Sequence, residues 1–406
     1  MDARHSEANS IPPRSTQNRV SFLGMACEEP FRVFFPLGIL VGIAGVSLWP
    51  LWFLKIHTFY PGMMHARLMI EGFLSAFVFG FLGTAGPRIA GAPSLSAPEL
   101  GVLLCLYGVC VVLHVARCPV TGDALFLTTL IWFTLAMGRR FAVAKAPPPP
   151  SFVLVAMGIL SGIAGTALLL VGAYGPAFAT RLGGALLNQL FVLQLLLGVG
   201  GFLLPRFLNL PSPARSSGPR QLEQAWFKRA GFAAVIGLVM TGTIFYEVIG
   251  ASPQAASVVR FTCAGCFFLI EIPFHRAGRP QGTLARCIQS AVVLLLLGLL
   301  FPVLWPSQRL AGLHVIFIGG FTLLTFTVAT RVTLGHSGMA HLFTTRLPVL
   351  AGIAGLLAAA LVLRAAGDFL PTLRGALLSD ASYCWMVAAV AWGVRILPRV
   401  RIPDPQ

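Results

Sequence analysis

The sequence predicts an all-α, polytopic membrane protein of about twelve transmembrane helices, and three observations carry the prediction. Hydrophobic residues make up 56% of the 406 and charged residues only 10%, against roughly 25% charged in a soluble domain. The mean hydropathy is +0.83. The apolar residues are gathered into runs of about twenty, the length at which a helix crosses a bilayer with its backbone polar groups satisfied internally. The alternating segments of about ten residues that mark an outer-membrane barrel are absent.

Proline and glycine set the breaks between helices. A polar segment over 1–30, with Pro12 and Pro13, reads as a cytoplasmic tail rather than a signal peptide. Helix α1 is expected at 31–54 and α2 at 63–86, between Tyr60-Pro61-Gly62 and Gly86-Pro87-Arg88. Helices α3 (98–116) and α4 (122–141) run up to the four prolines Pro147 to Pro150. Helices α5 (151–174) and α6 (178–204) lead into the longest loop, about 206–228, which carries Arg215, Arg220 and Lys228. Helices α7 (229–250) and α8 (254–274) end before Gly278, Pro280 and Gly282, and α9 (283–305), α10 (308–331), α11 (345–364) and α12 (375–397) complete the set. The membrane domain so defined covers 31–398, with a cytoplasmic tail at 399–406.

The net charge of +16 does not indicate nucleic acid, because the basic residues are scattered through short loops as topology signals rather than gathered into a groove. Placing the N-terminus, the even-to-odd loops and the C-terminus on one side assigns 21 of the 29 basic residues to it and 8 to the other. The positive-inside rule then puts both termini in the cytoplasm, and an even helix number agrees with both lying on one side. Most of the eight cysteines lie within apolar runs, where a thiol acts as a small hydrophobe.

An internal repeat is visible. Leu37-Gly-Ile-Leu-Val-Gly-Ile-Ala-Gly45 in α1 matches Met157-Gly-Ile-Leu-Ser-Gly-Ile-Ala-Gly165 in α5, and α2, α6 and α10 end near Arg88, Arg206 and Arg331. Offsets near 120 residues suggest three four-helix units. The competing reading is chance similarity among small-residue helices.

Ionisable groups within the membrane are costly and mark candidate sites. His65 opens α2, His314 lies early in α10, and His114 stands near the end of α3, all toward the outer face, with His57 in the adjoining loop. Imidazole ligates haem and transition metals, and histidines on two helices are able to clamp a haem between them. The competing reading is a histidine bonded to a carbonyl or to loop water. His336 and His341 follow α10 and read either as a weak metal pair or as solvated surface residues. Cys263-Ala-Gly-Cys266 lies inside α8 and reads as packing, since redox motifs of that form open an exposed helix. Arg67 and Glu71, four apart on α2, form a predicted ion pair, and Arg260, Glu247, Glu271 and Arg331 are further charges expected to be buried or nearly so. They suit internal salt bridges or an ion path. No phosphate loop and no nucleophile triad is present.

Three motifs carry a family resemblance. Pro30-Phe31-Arg32 precedes α1, Met64-His65-Ala66-Arg67-Leu68-Met69-Ile70-Glu71-Gly72-Phe73 lies on α2, and Thr330-Arg331-Val332-Thr333-Leu334-Gly335-His336-Ser337-Gly338 follows α10. The chain resembles the NnrS family, whose members are bacterial inner-membrane proteins associated with haem and copper and with the response to nitric oxide. The resemblance covers most of the chain and implies a haem or copper protein with His65 and His314 as the transferable ligands. His114 stands next as a cofactor ligand and His336 as a metal ligand. It implies nitric oxide or another small molecule as the partner besides the lipid bilayer, and no well-established catalytic reaction defines the family. The chain departs from the family pattern in that Arg67 stands at a second histidine, Leu68 at a glutamate, Phe202 at an arginine and Met339 at a common arginine. Arginine cannot replace histidine as a ligand because it stays protonated. A secondary transporter of a small solute or ion is the alternative, suited by the three units and by Arg260.

Overall fold

The computed structural model describes residues 21–144, 147–208, 210, 219–276, 278 and 280–405. Most of the N-terminal tail, together with Arg215 and the side chain of Arg220, lies outside that set. Twelve helices are long and apolar enough to cross a membrane: α1 Phe31–Phe53, α2 Gly62–Ala90, α3 Ala97–Val115, α4 Pro119–Ala142, α5 Phe152–Gly172, α6 Ala177–Phe207, α7 Glu223–Val248, α8 Pro253–Ile270, α9 Gly282–Leu304, α10 Pro306–Gly335, α11 Pro348–Phe369 and α12 Pro371–Arg401. Among the described residues there is no strand. The chain is a multi-pass membrane protein whose apolar outer helix faces contact lipid.

Several boundaries differ from the sequence expectation for identifiable reasons. Helix α2 runs through Pro87 and stops only at Gly91, whose φ of 61° ends it in the left-handed conformation that glycine tolerates. Helix α10 continues to Gly335, so Arg331 and Thr333 are helical and His336 is its C-cap. The segment expected as polar tail contains a short helix, Phe22–Glu28, capped by the Ser21 hydroxyl, which accepts from Gly24 N at 3.1 Å. The C-terminal segment is tied down rather than free, because Arg32 donates to the carbonyls of Val400 (2.6 Å) and Ile402 (2.7 Å).

The packing follows a threefold plan. Helices α2, α6 and α10 are buried over 78%, 67% and 67% of their most apolar windows, against 28–56% for the other nine, so these three form the centre. Around them, α1 packs on α2, α5 on α6 and α9 on α10. The hairpins α3–α4, α7–α8 and α11–α12 fill the spaces between, and α4 meets α5, α8 meets α9 and α12 closes the ring on α1.

The repeated glycines explain how the outer helices approach the central ones. A Cβ at Gly165 would lie 2.8 Å from Leu187 N on α6, and one at Gly158 would lie 2.9 Å from Leu195 N. At Gly298 of α9 the obstacle is Ile316 N of α10, at 2.9 Å. In α1 the glycines meet side chains instead: Phe77 at Gly38, Phe73 at Gly42 and Leu68 at Gly45. The shared G-x3-G-x2-G spacing of α1 and α5 is therefore a packing face.

Each central helix also widens into a π-helical stretch: Leu68–Leu74 in α2, Leu186–Phe191 in α6 and Val315–Thr322 in α10. Such stretches are rare and are frequent at functional sites. In α2 and α10 a side-chain hydroxyl bonds a carbonyl of the stretch in the same way. Ser75 Oγ donates to Ile70 O (2.8 Å) and Thr322 Oγ to Phe317 O (2.9 Å), five residues back in both cases.

Candidate functional site

The three π-helical stretches surround a cavity of about 570 Å³, within the range of about 300–1,000 Å³ typical of small-molecule and cofactor sites. Met69, Ile70 and Phe73 face it from α2, Asn188 and Gln189 from α6, and Phe317 from α10. Trp49 and Trp385 add aromatic walls from α1 and α12. His65 and His314 both line it.

The two histidines are held in the same way. His65 Nδ1 lies 2.9 Å from the Gly45 carbonyl on α1, and His314 Nδ1 lies 2.8 Å from the Leu310 carbonyl one turn back. A carbonyl only accepts, so in each ring Nδ1 carries the proton and donates it. Nε2 is then left with a bare lone pair, the tautomer that an outer-shell carbonyl imposes on a metal-ligating histidine. Gly45 contributes its carbonyl at this point because its lack of a side chain lets α1 approach α2, where its Cβ would stand 3.0 Å from Leu68 Cβ. Trp49 packs edge-on against His65 at 5.8 Å, and Phe317 against His314 at 5.9 Å.

The other candidate histidines lie elsewhere. His114 does not line the cavity. It is buried among α2, α3 and α4, and its Nε2 sits 2.8 Å from Glu71 Oε2. His336 stands at the far end of α10 from His314, about 33 Å away at 1.5 Å per residue. There its Nδ1 lies 2.6 Å from Glu29 Oε1 and 3.0 Å from Asp404 Oδ2. Arg32 and Arg88 also pair with Glu29, and the Phe31 ring packs 5.1 Å from the imidazole. The Pro30-Phe31-Arg32 motif and the motif ending α10 thus meet in one charged clamp remote from the cavity. Burial tends to raise the Glu29 carboxyl, but the bonded His336 and Arg32 side chains outweigh it and hold it down at about 2.

Arg67 and Glu71 approach to 3.1 Å, yet the principal partner of Arg67 is Asp123 at the start of α4. The guanidinium grips that carboxylate with two bonds, Nε to Oδ1 at 2.6 Å and Nη2 to Oδ2 at 2.9 Å. Asp123 was not singled out in the sequence; its place one turn into an apolar helix is the available signal. Arg260 pairs with Glu247 at 2.6 Å, as expected of a buried cation. Arg331 departs from the expectation of a buried charge: it is half-buried, with its guanidinium over the rings of Phe207 (4.1 Å) and Phe343 (4.0 Å). Cys263 and Cys266 are both free thiols.

Glu71, Cys110 and His114 bring ligand atoms within 4.8 Å of one another, which by distance alone suits a metal ion. Their surroundings do not. His114 Nε2 is engaged by Glu71, Cys110 Sγ donates to Gly122 O, and the Glu71 carboxylate also lies against the Arg67 guanidinium, so each of the three residues already has a partner within the protein.

A family model described as NnrS protein matches residues 26–403, nearly the whole chain. No curated protein matches significantly.

Proposed function

Because the chain belongs to the NnrS family, we propose that it is a haem-binding protein of the bacterial inner membrane, acting in the nitric oxide response or in denitrification-linked metabolism, with His65 and His314 as the iron ligands. The observation that carries this reading is the matched pair of imidazoles. Two rings on different central helices face one cavity, each with Nδ1–H committed to a carbonyl and Nε2 free. Hydrogen bonding through the far nitrogen orients a ligand ring and raises its basicity. The volume suits a porphyrin-sized molecule, and Trp49 and Trp385 give it aromatic walls.

When bound, such a group would supply an iron able to pass an electron. The protein's part is to fix both rings before binding, so that little order is lost on ligation. Copper, the other metal that the resemblance implies, finds no second matched pair of free imidazoles among the described residues. At the family's second histidine position Arg67 is occupied with Asp123.

The transporter reading gains no support from the centre of the bundle. Next to the cavity, sharing Leu74 with it, is a smaller space of about 110 Å³. Its lining from α1, α2, α6 and α10 is apolar except for Thr325, which does not suit the passage of an ion or polar solute through this space.

The test is the optical spectrum of the purified protein. A Soret band with low-spin features is expected, and His65→Ala and His314→Ala should each abolish those features while the protein stays in the membrane. A colourless protein, or full retention of the spectrum in either variant, would overturn the assignment.

A further inference from the structure

The end of the bundle where α2, α6 and α10 begin is poor in basic residues, with 8 of the 29. Four of those eight, Arg181, Arg309, Arg364 and Arg374, line the cavity. A fifth, Arg260, stands directly behind it, bonded to the cavity-lining Glu247. Topology signals do not explain this gathering, because the rule that places arginine in membrane proteins depletes it at this end.

The arginines are only partly neutralised, and the shortfall has a pattern. Glu247 bridges Arg260 and Arg309. Asp368 bridges Arg364 (3.1 Å) and Arg374 (3.5 Å). Each group is two guanidiniums on one carboxylate and carries a net charge of +1. Arg260 Nη1 and Arg364 Nη1 are buried without a hydrogen-bond partner among the described residues. The Arg364–Asp368 contact is close but out of line for a hydrogen bond. In each group the outer arginine is about half exposed, Arg309 at 42% and Arg374 at 49%, and both face the cavity. Buried charge is tolerated when paired, so two under-neutralised groups at one cavity call for two anionic groups from the occupant.

We infer that the cavity recognises its occupant by two carboxylates, one held at the Arg260–Glu247–Arg309 group and one at the Arg364–Asp368–Arg374 group. Resting on the haem reading above, this makes the propionates of the porphyrin the groups that set its orientation, with Arg309 and Arg374 as the residues that contact them. Arginine suits the role because its planar fork matches a carboxylate with two parallel hydrogen bonds. His65 and His314 would hold the iron, and the two charged groups would orient the macrocycle through its carboxylates.

The experiment titrates the purified full-length protein, stripped of haem in detergent, with hemin and separately with hemin dimethyl ester, whose carboxylates are blocked. The readout is the Soret band. The ester is expected to bind at least about tenfold more weakly, the loss of one to two charge-assisted hydrogen bonds. Arg309→Gln and Arg374→Gln should each weaken hemin by part of that factor, since each removes one of the two carboxylate contacts, and should weaken the ester less than hemin. The ester comparison needs no variant and so does not depend on how the variants fold. Equal affinity for hemin and ester in the wild-type protein overturns the inference while leaving the haem assignment standing. Binding of neither porphyrin overturns the haem assignment and the inference with it.

Discussion

Arg67 illustrates how a substitution at a single position redirects a polar cluster. The family resemblance places a histidine there, and this chain has a guanidinium that reaches α4 and grips Asp123 with two bonds. Both partners are buried, as is Glu71 beside them. With Glu71 beside them, one guanidinium serves two carboxylates, so removing Arg67 strands both, at a cost of about 3–5 kcal/mol, whereas removing Asp123 leaves the Arg67–Glu71 pair in place. Arg67→Met should therefore lower the thermal midpoint in detergent sharply, and Asp123→Leu should lower it much less. Equal losses in the two variants would show that Glu71 does not take up the guanidinium.

Glu29 makes a pH-dependent contribution at the other end of the molecule. Its carboxyl is held at about 2 by His336 and Arg32 despite burial, below the ordinary value of 4.5. The unfolded chain then binds more protons than the folded one between those values, so stability falls as pH falls. The contribution is complete above about pH 5 and is lost as pH drops through 4.5 toward 2. Thermal melts between pH 6 and pH 3 should show a decline that Glu29→Gln flattens, at the expense of a lower midpoint at pH 6. An unchanged slope in the variant would place the acid sensitivity elsewhere.

At the scale of single helices, glycines on α5 and α3 do different things. Gly158 and Gly165 leave no room for a Cβ between α5 and the α6 backbone. Gly101 on α3 has nothing within 4 Å of a Cβ and is exposed on the apolar surface. Gly165→Val should cost about 3 kcal/mol or more by forcing α5 from α6. Gly101→Ala should be neutral or stabilise by up to about 1 kcal/mol, because alanine favours helix. Comparison of the two melting curves checks this, and a tolerated valine at 165 would mean that α5 and α6 separate without loss. The π-helical stretches belong to this scale too. Each inserts a residue into one turn of a central helix, and together they open the space that His65 and His314 face.

At the scale of the whole molecule, the three units close into a ring around α2, α6 and α10, with the cavity on the common axis and the Glu29–His336–Asp404 clamp at the other end. The clamp joins the start of α1, the end of α10 and the C-terminal segment through Arg32, which also lies 3.4 Å from the His336 carbonyl. The 21-to-8 division of basic residues predicts the clamp in the cytoplasm and the cavity toward the periplasm. A reporter fused after Gln406 that is active only in the cytoplasm should be active, and a periplasm-dependent reporter silent. The reverse pattern would invert the molecule and put the cavity on the cytoplasmic side.

Helix number, helix type and approximate spans were determined by the sequence alone, because hydrophobic length is a local property and a bilayer leaves helices as its solution for such runs. The glycine repeat was legible for the same reason, since close approach needs small residues at fixed spacing whatever the partner. The identity of His65 and His314 as notable residues was legible from the cost of polar groups in apolar runs. Their tautomers were not, because these depend on the carbonyls of Gly45 and Leu310 standing at hydrogen-bond distance. Nor was the pairing of Arg67 with Asp123, 56 residues away, or the bridging of Arg364 and Arg374 by Asp368. Partners of that kind are chosen by the rotation of each helix about its axis. A 3.6-residue periodicity predicts that rotation only while the helix stays α, and the extra residue of a π-helical stretch turns everything beyond it by about 100°. In α2, α6 and α10 the stretch lies at the site itself, so only the tertiary structure decided which side chains face the cavity and which face their neighbours.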